Sequence, residues 1–152
     1  MTTLLLQHLM RERAVVDSFI ELLDQEAQAM TQGQFSALPA LAERKSELAD
    51  QIAQLERQRA GEQVKLGYTA DRKGTDAAAA AGGEALQKAW ADLRECAALA
   101  HESNHRNGVM IHTHLDFTRQ AISFLQSRGK PLYGPDGAHH TGSGNGNRLG
   151  LG

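Results

Sequence analysis

At 152 residues, with 16 basic and 18 acidic side chains and a formal net charge of −2, the chain lacks the concentrated positive charge that nucleic-acid binding requires. Aromatic residues make up only 5%, which favours helices over strands, and the single cysteine, Cys96, excludes an internal disulfide. The opening MTTLLLQHLMRER has one short apolar run, Leu4 to Leu6, with no basic leader before it. That is too short for a secretory signal or a membrane span, so a soluble cytoplasmic protein without membrane insertion is expected.

Leu9, Val16, Leu23 and Met30 recur every seven residues, and Leu5, Leu6, Phe19, Ile20 and Ala27 widen the stripe. This predicts an amphipathic helix from Thr2 to Thr31, capped by Thr2 or Thr3 and ended at Gly33. A second helix is predicted from Ser36, an N-cap residue type that leaves Pro39 in the first turn. Leu41, Leu48 and Leu55 form one of its tracks, and Leu38, Ile52 and Leu66 the neighbouring one. Lys45 and Arg59 lie between the tracks, where their stems can follow the seam and their charges stay in water.

From Gly67 to Gly83, GYTADRKGTDAAAAAGG breaks the pattern and reads as a loop with room for a short helix across its alanines. A third helix is predicted from Glu84 to Ser127, a rod of roughly 60 Å. The remainder, GKPLYGPDGAHHTGSGNGNRLGLG, has eight glycines in 24 residues and is expected to be mobile. The expected fold class is therefore all-α. It is an elongated antiparallel three-helix bundle or coiled coil over residues 1–128, followed by a flexible, glycine-rich carboxyl-terminal tail over 129–152.

The third helix contains HESNH, residues 101 to 105, which fits the zinc-binding pattern H-E-x-x-H, and Gly108 and His112 nearly extend it. At about 100° per residue these side chains share one stripe, but an unbroken helix lifts His112 roughly 16 Å along the axis from His101. Zinc–nitrogen bonds are about 2 Å, so one ion cannot hold these histidines unless the helix breaks near Gly108. The stripe of Leu86, Trp90, Leu93, Ala97, Ile111, Leu115, Ile122 and Leu125 continues on both sides of Gly108, no strand is predicted, and no methionine follows Met110. HESNH is therefore read as a coincidence on a helix surface, with no metal, cofactor or catalytic residue expected.

The carboxyl half of this helix carries a second apolar face. Leu99, Met110, Phe117, Ala121 and Phe124 lie almost opposite the first stripe, and Met110, Phe117 and Phe124 are seven apart. Either both faces are core, or one stays open for an amphipathic helix of another protein. Asn104 and Asn107 fall on the core side, where asparagine either fixes register or contacts backbone at a helix junction.

Several elements together resemble the FlgN-type flagellar export chaperones: Leu5, Glu12, Leu22, Leu23, Glu26 and Gly33 in the first helix and its turn; Lys45, Leu48, Leu55, Arg59, Leu66 and Gly67 in the second; Asn104-His-Arg-Asn107-Gly108 in the third; then Tyr133-Gly-Pro-Asp-Gly137 and Leu149-Gly150. The alanine-rich stretch at 77–81 and the very glycine-rich end depart from the pattern. The resemblance implies a cytoplasmic helical chaperone, not an enzyme, that binds the carboxyl-terminal region of hook-associated proteins. It would prevent their premature assembly and deliver them to the flagellar export apparatus. Met110, Phe117, Ala121 and Phe124 are the expected contact face, with Ile122, Leu125 and Tyr133 around it. A self-associating coiled coil, a homodimer in its simplest form, is the alternative that the heptads also allow.

Overall fold

The computed structural model describes residues 2–128. These form four helices, α1 (Thr3–Thr31), α2 (Leu38–Lys65), α3 (Arg72–Ala81) and α4 (Glu84–Arg128), with a 3-10 turn at Phe35–Ala37 and no strand among the described residues. The all-α class is as expected. The helix count is four because the alanines of the 67–83 stretch fold as α3. The expected mobile tail and Tyr133 lie outside the described residues. No helix among those residues is long and apolar enough to cross a membrane.

Two helix ends share one device. After α1, the Gln34 amide donates to Ala29 O (2.7 Å) and the Gly33 amide to Met30 O. After α2, Tyr68 donates to Gln63 O (2.9 Å) and Gly67 to Val64 O. Gly33 (φ 73°) and Gly67 (φ 93°) supply the left-handed residue that this crossed pair of bonds needs. The predicted starts differ from the observed ones. Thr2 makes no side-chain cap bond, and α2 begins after Ala37, because the 3-10 turn takes up Ser36. Pro39 stands in the first turn of α2, as expected. The cap sequence reasoning missed is Asp71, whose carboxylate accepts from the Gly74 amide at 3.0 Å and opens α3.

The described residues divide into two units, the first ending at Met110 and the second beginning at Ile111. In the first unit, Leu5, Leu9, Val16 and Leu23 of α1 cluster with Ala78 and Ala79 of α3 and with Leu86, Trp90, Leu93 and Ala100 of α4. Each buried leucine contributes roughly 1.5–3 kcal/mol relative to exposure. Directions follow from the polar pairs. Glu12 meets Arg59 and Glu26 meets Lys45, so α1 and α2 run antiparallel. Arg13 meets Asp92 and Asp17 meets Cys96, so α1 and the first part of α4 run parallel.

The ion pairs correct the expectation that Lys45 and Arg59 keep their charges wet. Glu12 and Glu26 are each only 2% exposed. The Arg59 guanidinium donates to both Glu12 oxygens, to Gln63 Oε1 (2.9 Å) and to Thr75 Oγ1 (2.9 Å), and stacks 5.3 Å from the Trp90 ring. It therefore touches all four helices. Burial lifts the Glu12 carboxyl above its ordinary pKa, while the bonds from Arg59 pull it down. Lys45 Nζ donates to both Glu26 oxygens at 3.2 Å. Glu12 and Glu26 are fourteen apart in α1, and Lys45 and Arg59 fourteen apart in α2. That matched spacing, two heptads in each helix, is the sequence signal for these pairs.

Candidate functional site

The interior stripe of α4 consists of Leu86, Trp90, Leu93, Ala100, Ser103 and Asn107. Ala97, expected in it, is exposed, and Asn107 is its last fully buried member among the described residues. The Asn107 amide donates to Leu23 O at 2.8 Å and to Glu26 Oε1 at 3.0 Å. A carbonyl already engaged in the α1 ladder and a carboxylate already held by Lys45 thus accept from one side chain. This settles the alternatives for Asn107: it contacts backbone at a helix junction. Asn104 faces solvent.

The helix runs through Gly108 without a break. His101, Glu102 and His105 are exposed, and with α4 continuous the helix break that a shared ion with His112 would need is not there. Among the described residues, no group of three or more His, Cys, Asp or Glu side chains is placed to hold a metal ion.

Within the second unit, Ile111 and His114 are half-buried and every described residue from Leu115 onward is exposed. Phe117 is 69% exposed, Leu125 67%, Phe124 58%, Ile122 50% and Leu115 48%. Ala121 is exposed as well. Leu115, Ile122 and Leu125 were expected to continue the core stripe; they do not, since Asn107 is the last buried residue of α4 and Ile111 and His114 the last half-buried ones. Met110, at the end of the first unit, is 36% exposed. Of the expected contact residues, Phe117, Ala121, Ile122, Phe124 and Leu125 thus share one exposed helical stretch.

Two polar contacts on this stretch join near neighbours in sequence. Asp116 and Arg119 pair one turn apart at 3.6 Å, and the Ser127 hydroxyl donates to Phe124 O at 3.0 Å. The Arg128 guanidinium lies 5.3 Å from the Phe124 ring, keeping a cation beside the apolar surface. The groove between α1 and α4 in the first unit is different in kind. It encloses about 400 Å³ over Leu6, Leu9, Met10, Ala14, Ala85 and Ala89. Its rim charges are already paired with one another, Arg13 and Lys88 both reaching Asp92.

The chain is also similar in sequence to known proteins. The chain is 27% identical over 140 residues to the "Flagella synthesis protein FlgN" of Yersinia enterocolitica, covering 90% of each chain. It is 26% identical over the same length to the protein of that name from the Yersinia enterocolitica strain NCTC 13174 / 8081. No solved structure matches it. The model of the family described as FlgN protein matches residues 1–141, the whole described fold included, and the chain belongs to that family.

Proposed function

We propose that this chain is a cytoplasmic export chaperone of the bacterial flagellum, which holds the carboxyl-terminal region of a hook-associated protein and passes it to the export apparatus. Membership of the FlgN family and the names of the Yersinia relatives support the flagellar role. The observation that carries the binding role is the exposed apolar stretch of α4. Soluble chains rarely leave Phe117, Phe124 and Leu125 together in water unless another protein covers them. A partner segment that is disordered alone becomes helical on this surface, and the entropy of ordering it keeps the complex reversible. Tyr133 belongs to the proposed contact through its place in the sequence, and Met110 through the seven-residue spacing. Binding, shielding and release of a client require no catalytic group and no cofactor.

The test is calorimetric titration of the full-length protein with the carboxyl-terminal region of a hook-associated protein. Saturable one-to-one binding is expected, and Phe117→Gln with Phe124→Gln should weaken it by about 100-fold, or 2.7 kcal/mol, at an unchanged melting temperature. Absence of wild-type binding at about 50 μM, with a stable oligomer in light scattering, would favour the self-associating coiled coil instead.

A further inference from the structure

The exposed stretch is wider than one helical neighbour can cover. At about 100° per residue, the apolar side chains of 111–128 fill an arc of about 180°. It runs from Phe124 and Phe117 at one edge, through Ala121 and Leu125, to Ile122 and Leu115 at the other. The opposite half holds Asp116, Arg119, Gln120, Ser123 and Gln126. A helix facing a single partner needs a stripe of only about 100°, and a two-stranded coiled-coil seam is narrower still. An arc nearly twice that width belongs to a helix packed between two others.

We propose that the partner closes on this stretch with two helical segments of one chain, completing a three-helix bundle around residues 111–128. This inference rests on the chaperone reading above and specifies the partner of that same surface. The chain's own carboxyl-terminal sequence is a poor occupant. Its 24 residues hold eight glycines, Pro131 and Pro135, and only five apolar side chains, with no helical periodicity. A second copy is a poor one too, because pairing two such helices face to face buries one stripe of each and leaves the rest open. Charge narrows the partner further. The arc's polar members are His114, Thr118 and Arg128, while Asp116, the one acid of the stretch, lies on the far half bonded to Arg119. The partner's two segments are therefore amphipathic, about 18 residues each to match a helix of about 27 Å, with a carboxylate where they pass Arg128.

The two edges of the arc can be tested separately. Full-length protein is titrated with the carboxyl-terminal region of a hook-associated protein, following heat and far-ultraviolet circular dichroism. Wild type, Phe117→Gln/Phe124→Gln, Leu115→Gln/Ile122→Gln and Arg128→Glu are compared. Two-helix closure predicts that each glutamine pair weakens binding by about 30-fold or more, and Arg128→Glu by about 5-fold. It also predicts a gain in helix of about 36 residues at one-to-one stoichiometry. If one pair weakens binding, the other stays within about 3-fold of wild type, and the helix gain is about 18 residues, a single helix binds. The two-helix inference then falls and the chaperone reading stands. If wild type takes none of the fragment and instead forms an oligomer that both pairs dissolve, both readings fall. Arg128→Glu leaves the apolar arc intact, so its effect is readable even if a glutamine pair perturbs the helix.

Discussion

The first unit and the 111–128 stretch are both helical and both carry seven-residue apolar spacing, yet they treat charge and grease in opposite ways. In the first unit Glu12 and Glu26 are withdrawn from water and matched by Arg59 and Lys45. In the second, Phe117 and Leu125 stand largely in water. Apolar character alone therefore does not decide burial. What decides it is whether other elements of the same chain are present to cover the side chain. In the first unit α1, α2 and α3 do so, and their polar side chains fix how the helices align.

That contrast can be attacked directly. Glu12→Ala leaves the Arg59 guanidinium without its carboxylate and should cost about 3–5 kcal/mol in denaturant unfolding. Phe117→Ala removes a larger side chain but should change stability by less than about 0.5 kcal/mol. Equal losses at the two sites would erase the distinction. Asn107→Ala strips a donor from Leu23 O and Glu26 and is expected to cost about 1–3 kcal/mol. The carbonyl keeps its ladder bond, so the damage falls mainly on the Glu26 and Lys45 pair.

Smaller effects sharpen the boundary between the regions. Among the described residues, nothing beyond its chain neighbours and its own helical backbone lies within 4 Å of where a Gly108 side chain would begin, and the helix is regular there. Gly108→Ala should therefore stabilise the protein by about 1 kcal/mol, read as a rise in melting temperature. A loss would show that the glycine answers to a contact or a conformational change. His8 gives a pH signature confined to the first unit. Its Nδ1 is buried without a hydrogen-bond partner among the described residues, and burial, with Arg11 nearby, lowers its pKa from 6.5. The unfolded chain takes up the proton first. Its contribution is thus present above pH 6.5 and is lost as the pH falls through the lowered folded value. His8→Gln should remove that part of the slope; an unchanged slope would locate the titration elsewhere.

Much of the fold was legible in the chain itself. The seven-residue tracks place α1 and α2, Gly33 and Gly67 mark their ends, and the stripe from Leu86 to Leu93 marks the buried side of α4. The short helix α3 was harder to read because alanine gives helical propensity without periodic contrast. Its start depends on Asp71 reaching the Gly74 amide, and a Cβ on Gly74 would lie 1.8 Å from Thr69 O. The candidate site was half legible. Periodicity shows that the carboxyl part of α4 has apolar residues on more than one side. It does not show which are covered, since Leu115 and Leu93 occupy equivalent places on the same stripe.

By itself, then, the sequence determined the three long helices, the glycine ends of α1 and α2 and the apolar character of each face, because these depend on residues a few places apart along one chain. The tertiary structure decided what each face meets. Lys45 and Arg59 were placed on the seam by spacing, but only the approach of Glu26 and Glu12 from α1 turns them from solvated charges into half-buried partners of buried carboxylates. Likewise, the apolar stripe of α4 continues to Leu125, but its covering stops near Asn107 and Ile111. Burial depends on residues up to 84 positions apart, as Asn107 and Leu23 are, and local periodicity carries no record of such distances.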